Sequence, residues 1–157
     1  MNNSRNAFTM IEIVFVIVIL GILSAIAIPK LAATRDDAEV VKILSDVHAI
    51  RSAIMTERQS RLIRGETNFI SSLDQGVVAN TNNTTIFDGN GTYTLLSYPV
   101  YTSVRVSGIP NHGRWIKTGT NQYAANAGGN VVHFTYVPAT GIFDCDHNTT
   151  SCQNFFK

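Results

Sequence analysis

An almost uninterrupted apolar run near the start of the chain constrains its architecture more than any other feature. From Phe8 to Pro29 the sequence reads FTMIEIVFVIVILGILSAIAIP and has one charged residue, Glu12. At about 1.5 Å per residue, a helix of this length crosses the roughly 30 Å hydrocarbon core of a bilayer. The run therefore predicts a membrane-spanning helix.

The single charge within this run needs an explanation. A carboxylate at the centre of a bilayer costs roughly 2.5 kcal/mol or more on insertion scales. A segment that served only as an anchor would be more stable without it. We therefore expect Glu12 to meet a positively charged partner in or beside the membrane. The alternative is that its side chain reaches the headgroup region, since it lies one turn from Phe8.

The residues before the run are not those of an ordinary secretory signal. Such a signal places a small-residue cleavage site directly after its apolar region. Here residues 1–7 are polar, and the well-placed small residue, Ala7, precedes the apolar run. Cleavage at that point would leave the whole apolar helix on the mature protein.

The residues Ala7-Phe8-Thr-Met-Ile-Glu12-Ile, followed by the apolar run to Pro29, resemble the leader and N-terminal helix of type IV pilins and type II secretion pseudopilins. The resemblance implies that a leader peptidase cleaves between Ala7 and Phe8 and N-methylates Phe8. It also implies that Glu12 and a helix-bending Pro29 act in assembly. The family most often has Gly before the cleaved bond, and Ala7 departs from that pattern. The motif covers residues 1–40, and beyond them only the general plan matches.

The same resemblance implies a structural subunit of a type IV pilus or a type II secretion pseudopilus, with no enzymatic activity and no cofactor. The implied partners are further copies and other pilin-like subunits in a filament, the prepilin peptidase and methyltransferase, and an assembly platform with its ATPase. The helix would lie in the bacterial inner membrane with the head in the periplasm, and later in a filament. The N-terminal amine of one subunit would approach Glu12 of its neighbour. Pilus, secretion and DNA-uptake roles stay open, as does a DNA or exoprotein cargo.

A second apolar pattern extends the helix beyond the membrane segment. Apolar residues recur at spacings of three and four, and no glycine occurs between Gly21 and Gly65; the pattern comprises Val40, Ile43, Leu44, Val47, Ile50 and Ile54. This predicts one helix from Phe8 to Ile63, bent near Pro29. The expected organisation is a leader at 1–7, an assembly helix at 8–29, an amphipathic helix at 30–64 and a head at 65–157.

The head has the pattern of a small antiparallel sheet. Turn-forming residues separate short β-rich runs, which are 92–98, 100–106, 114–118, 122–125 and 131–137. The predicted fold class is α+β, with the long helix packed on a sheet of about four strands, as in pilins. Trp115 and Tyr123 are expected to be core or edge aromatics rather than ligand platforms. His48 is expected on a face of the helix, and His133 on the outer face of the sheet.

Charge is segregated along the amphipathic helix. Residues 36–46 carry a net charge of −3, and residues 51–64 carry a net charge of +3. One hypothesis is that the acidic band of one subunit faces the basic band of another in a staggered filament. The other interpretation is a solvated face with ordinary helix-end charge preferences.

Two cysteines, Cys145 and Cys152, lie late in the chain without the spacing of a zinc site. Behind a membrane segment they indicate a disulfide formed in an oxidising compartment; in a cytosolic domain they would be free thiols. Asp144 and Asp146 flank Cys145, and their carboxylates could provide oxygen ligands for calcium. The resemblance makes this worth considering, because some pseudopilins have a calcium site. An ordinary solvated loop is the alternative.

Two segments match the bacterial N-glycosylation pattern of an acid, any residue, Asn, any residue, and Ser or Thr. They are Asp88-Gly-Asn90-Gly-Thr92 and Asp146-His-Asn148-Thr-Thr150. Both fall in expected surface loops, where modification requires them. The same residue types also gather in turns for conformational reasons, so the motifs make Asn90 and Asn148 candidate sites only.

A second class of function competes with the filament subunit. A membrane-anchored periplasmic module could bind DNA or a secreted protein through a basic patch formed by Arg105, Arg114 and Lys117. No nucleophile–base pair or metal-ligand spacing is recognisable in the sequence, which disfavours an anchored enzyme.

Overall fold

The computed structural model describes residues 8–156, apart from the side chains of Pro29, Ala32 and Ala33. The backbone divides into two compact units, Met1–Arg35 and Asp36–Lys157. Helix α1 spans Met10–Ile63 and contributes to both units. The predicted helix ended at the same residue. The predicted leader at 1–7, with Ala7 at the expected cleavage site, lies outside the described residues.

A glycine cap explains where α1 ends. The Glu66 N–H donates to the Arg61 carbonyl and the Gly65 N–H donates to the Leu62 carbonyl. Gly65 adopts φ +83°, a left-handed conformation that glycine reaches without the penalty of a Cβ. This bonding pattern is the Schellman motif, which satisfies carbonyls that the last helical turn would leave free.

The second unit contains three antiparallel sheets. Strands β5 (Trp115–Gly119), β6 (Gln122–Ala127), β7 (Asn130–Val137) and β8 (Ile142–Cys145) form a four-stranded sheet in sequence order. Two smaller sheets pair β1 (Thr85–Ile86) with β2 (Val100–Tyr101) and β3 (Val104–Val106) with β4 (Ile109–Pro110). A short helix, α2, follows at Thr150–Phe155. The fold is α+β and pilin-like, as the sequence predicts.

The core lies between α1 and one face of the large sheet. On α1, Ile43, Val47, Ile50 and Ile54 are at most 1% exposed and belong to one cluster with the inward side chains of the sheet. The ring of Phe87 packs at the centre of that cluster, with centroid distances of 5.3 Å to Trp115, 4.7 Å to Tyr123 and 5.8 Å to Phe143. Trp115 and Tyr123 are buried core residues, and His133 is exposed on the outer face of β7.

The prediction of a strand at 92–98 is wrong. These residues form bends and irregular backbone, and the neighbours Leu95 and Leu96 are both buried, which an alternating strand does not permit. The predicted strand at 100–106 is two short strands belonging to different sheets. Strands β1, β4 and β8 and helix α2 were not predicted.

Candidate assembly segment and its head

The apolar part of α1 is exposed among the described residues of the first unit. Met10–Ile28 has a mean hydropathy of 3.0, and none of its residues is buried. By length and composition, this part of the helix is suited to crossing a membrane. Phe8, the residue expected to become the mature N-terminus, is 78% exposed.

Glu12 lies in the first turn of α1, where a helix favours negative charge. The Glu12 N–H is 3.1 Å from the Thr9 carbonyl and 3.4 Å from Thr9 Oγ1, so Thr9 caps the helix. Thr9 and Glu12 therefore occupy the two positions of a capping box, a local role that the sequence reasoning missed although the Thr-x-x-Glu spacing signals it. The Glu12 side chain is exposed. Pro29 falls within α1, and its role in assembly stays a prediction.

Several charged residues on the head part of α1 bind groups of the head. Lys42 Nζ donates to the Gly113 carbonyl (2.5 Å), and Asp46 Oδ2 accepts from Trp115 Nε1 (3.0 Å). Arg58 binds the Thr67 carbonyl and lies 4.5 Å from the centroid of the Phe69 ring, while Arg61 Nη1 donates to the Phe69 carbonyl (3.0 Å). These contacts lie within one chain, while Asp36 and Asp37 of the acidic band are exposed, so bands that face each other between subunits stay a prediction.

The expected basic patch is not formed. Lys117 is 8% exposed, and its Nζ lies 2.8 Å from Asp74 Oδ1. Asp74, which is 1% exposed, also accepts from Tyr123 Oη (2.6 Å) and from the Gly76 and Val77 N–H groups. Lys117 thus serves the core of the head, and only Arg105 and Arg114 of the proposed three are exposed.

Hydrogen bonding holds Asp74 in its ionised form. Burial by itself raises the pKa of Asp74, but hydrogen bonds from Lys117, Tyr123 and the Val77 N–H, together with the charge of Lys117, outweigh it. The pKa therefore lies below its ordinary value of 3.8. Sequence reasoning missed this pair because its partners are 43 residues apart, and no local pattern links them.

Cys145 and Cys152 form the expected disulfide, with their Cα atoms 5.8 Å apart. The neighbouring Asp144 is bound to protein donors: Oδ1 accepts from Arg51 Nη2 (2.7 Å) and the Cys145 N–H (2.8 Å), and Oδ2 lies 3.2 Å from His147 Nε2. Arg51 also donates to the Phe143 carbonyl (2.9 Å). The guanidinium thereby ties β8 to α1.

These donors do not fit the calcium site considered at Asp144 and Asp146. Calcium takes roughly six to eight oxygen ligands. Asp146 offers few free oxygens, because its Oδ1 accepts hydrogen bonds from both the backbone and the side-chain nitrogen of Asn148 at 2.9 Å. Among residues 8–156, no group of three or more His, Cys, Asp or Glu side chains is arranged to hold a metal ion. Arg51 already pairs with Asp144, the carboxylate that precedes the disulfide loop in β8.

The two glycosylation candidates are both exposed. Asn90 Oδ1 accepts from the Thr92 N–H at 3.0 Å, and Asn148 Nδ2 donates to Asp146 Oδ1. Modification of either residue stays a prediction.

The comparisons agree with the segment geometry. Residues 2–28 match the model of the prokaryotic N-terminal methylation motif. The match covers the N-terminal segment, and the α+β fold agrees with the pilin-like architecture that the sequence predicts.

Several curated relatives are named type II secretion system core protein G. That of Klebsiella michiganensis is 43% identical over 51 residues, which are 32% of this chain and 36% of the relative. That of Pseudomonas aeruginosa is 42% identical over 50 residues, which are 32% of this chain and 35% of the relative. That of Escherichia coli is 35% identical over 52 residues, which are 33% of this chain and 36% of the relative. The chain thus spans about a third of the length of the curated relatives it matches. No solved structure matches the chain significantly.

Proposed function

We propose that this chain is a structural subunit of a pilin-like filament, with the pseudopilus of type II secretion as the first candidate. The observation that carries the proposal is the exposed apolar helix Met10–Ile28 with Glu12 in its first turn. The methylation motif and the printed names of the relatives support it. A type IV pilus subunit would share the apolar helix, Glu12 and the methylation motif, and the names of the relatives favour the pseudopilus.

The proposed assembly exchanges lipid for protein around the helix. Before assembly, the segment lies in the inner membrane with the head in the periplasm. In the filament, the apolar helices of several copies cover one another, and Glu12 of one copy pairs with the N-terminal amine of the next. Two unit charges 4 Å apart attract by about 4 kcal/mol at an effective dielectric constant of 20, which offsets much of the desolvation cost. Glu12 therefore favours the filament over the bilayer.

This pairing depends on processing of the leader. Cleavage between Ala7 and Phe8 creates the amine, and the prepilin peptidase also methylates it in this proposal. An assembly platform with its ATPase would supply the work of extracting the helix from the membrane. The chain itself acts mechanically and not as an enzyme.

The test compares the mass and the location of the mature chain. Intact mass spectrometry of the native protein should give a chain that starts at Phe8 and carries one added methyl group. Immunogold microscopy of sheared surface material, and of cells overproducing the chain, should show it in filaments.

A charged residue before the cleaved bond provides the control. Ala7→Lys should leave an unprocessed chain in the membrane, absent from filaments. A wild-type chain that retains residues 1–7, or that never enters a filament in its own host, would refute the proposal.

A further inference from the structure

The disulfide loop places one imidazole between a carboxylate and a sulfur. His147 Nε2 lies 3.2 Å from Asp144 Oδ2, and His147 Nδ1 lies 3.7 Å from Cys152 Sγ. The side chain of His147 is 64% exposed, whereas Cys152 is 0% exposed. The two nitrogens of one ring thus contact an acid on one side and a sulfur of the bridge on the other. The proposed filament function makes no use of this arrangement.

Contacts from three elements hold the imidazole in this position. Gln153 Nε2 of α2 donates to the His147 carbonyl at 3.0 Å, and the ring packs against Phe156 with centroids 5.8 Å apart. Asp144 of β8 is itself fixed from α1, because Arg51 Nη2 lies 2.7 Å from its Oδ1. The ring is therefore oriented by its surroundings although much of it is exposed.

The charge of Asp144 decides which ring nitrogen carries the proton. An ionised carboxylate only accepts hydrogen bonds, so the neutral ring must carry its proton on Nε2, which faces Asp144. Nδ1 then presents its lone pair to Cys152 Sγ. In the reduced chain that sulfur is a thiol. A carboxylate, an imidazole and a thiol in this order form the arrangement in which the imidazole takes the proton of the thiol and makes it a nucleophile.

We propose that His147 is the general base that closes the bridge between Cys145 and Cys152. A disulfide-containing oxidant first forms a mixed disulfide with Cys145 and releases one thiol. His147 Nδ1 then takes the proton of the Cys152 thiol, and the thiolate attacks Cys145 Sγ. The bond between Cys145 and the oxidant breaks, and the second oxidant thiolate leaves with the proton that His147 held. Two thiols of the chain are thereby oxidised, and one disulfide of the oxidant is reduced to two thiols.

Burial explains why the closing step needs a base. At pH 7, a thiol with the ordinary pKa of about 8.5 is only about 3% ionised, and apolar surroundings lower that fraction further. Cys152 belongs to the same buried cluster as Phe143 and Phe155. The imidazole, which reaches from this cluster to the surface, gives the proton a route to solvent.

The charged groups around the imidazole are few among the described residues. Asp144 faces it from β8, and Arg51 of α1 pairs with Asp144. In its own loop, Asp146 Oδ1 accepts from Asn148. Helix α2, which carries Cys152, contains no charged residue. Between about pH 7 and about pH 9, the closing rate should therefore follow the ionisation of the Cys152 thiol.

Removal of the imidazole tests the proposal. The full chain is reduced in detergent, mixed with excess oxidised glutathione and quenched at intervals with N-ethylmaleimide, and its intact mass is measured. At about pH 7, His147→Ala should close the bridge about tenfold more slowly than the wild type, so the glutathione mixed disulfide should accumulate. His133→Ala removes an exposed histidine from β7 and is the matched control, which should close at the wild-type rate.

The pH profile separates a chemical role from a structural one. At about pH 9 an ordinary thiol ionises without a base, so His147→Ala should close nearly as fast as the wild type, which would also show that its loop still folds. Peptide mapping should place the trapped glutathione on Cys145. Equal closing rates at about pH 7 would overturn the proposal, as would a loss of the same size at both pH values or glutathione trapped on Cys152.

Discussion

The apolar segment and the head each contain a carboxylate in an unusual setting, and the two are satisfied in opposite ways. Asp74 is buried and accepts from a lysine, a tyrosine and two backbone N–H groups of its own chain. Glu12 lies on an exposed apolar helix, where its backbone is capped by Thr9 and its side chain is left in the open. The head satisfies its buried carboxylate within its own chain, whereas the carboxylate of the apolar helix is exposed to its surroundings.

The largest expected effect concerns the segment. Glu12→Ala should remove the chain from sheared filaments, because the neighbour's N-terminal amine loses its partner. The thermal unfolding midpoint of the head should not change, since Glu12 contributes nothing to its core. Sedimentation of sheared material and calorimetry in detergent give the two readouts. Full assembly of Glu12→Ala would show that the filament does not depend on this carboxylate.

The reverse pattern is expected for the head. Asp74→Ala should lower the free energy of unfolding by about 3–5 kcal/mol, because it leaves the Lys117 ammonium buried without a partner. Denaturant unfolding measures the loss. In the Asp74→Ala, Lys117→Met double variant, much of it should be recovered, since the stranded charge is gone. Equal losses in the single and double variants would contradict this account.

The disulfide should contribute less. Replacing Cys145 and Cys152 by Ser should lower the free energy of unfolding by roughly 2.5 kcal/mol on the chain-entropy model for a loop this short. Hydrogen exchange should rise mainly in β8 and α2. A loss spread evenly over the sheet would show instead that the bridge supports the whole core.

Acid should weaken the head through Asp74. Its pKa is depressed in the folded state, so its contribution is present above the unfolded value and disappears as the pH falls through the folded one. The free energy of unfolding, measured from about pH 6 to about pH 2, should therefore decrease once the pH is below 3.8, the ordinary pKa of an aspartate. The Asp74→Asn variant should lose part of that acid dependence. An identical slope in both proteins would assign it to other carboxylates.

Calcium should have the smallest effect of all. With Asp144 bound to Arg51 and the Cys145 N–H, neither calcium nor a chelator should move the unfolding midpoint of the full chain in detergent. Magnesium at the same ionic strength is the control. A midpoint raised by calcium alone would show that the loop rearranges to bind it, and that the head also depends on something outside the chain.

Local patterns predicted the segment and α1 well. The apolar run, the three- and four-residue spacing and Gly65 all signal helix within a few residues, and α1 ends where the sequence predicts. The Thr9 cap was present in the sequence but was missed. The candidate assembly residues likewise follow from a contiguous motif. Information of this kind needs no knowledge of distant contacts.

The features that were not predicted from the sequence depend on contacts between residues that are far apart in the chain. Lys117 was assigned to a basic patch because its partner Asp74 is remote in sequence. Residues 92–98 alternate like a strand, yet Gly89 and Gly91 adopt positive φ, and Leu96 bonds back to the Phe87 carbonyl. Strand β8 has four residues, too few for a periodic signal, and exists because β7 provides its edge. The Thr149 cap did signal α2 and was overlooked.

The late position of β8 and α2 sets an order of events for folding. Phe143, Cys152 and Phe155 are all buried in the same cluster as residues of α1. During synthesis, that cluster therefore stays open until residues 143–155 have been made. The apolar part of α1 is made long before them, so it would be available to a membrane before the core of the head could close.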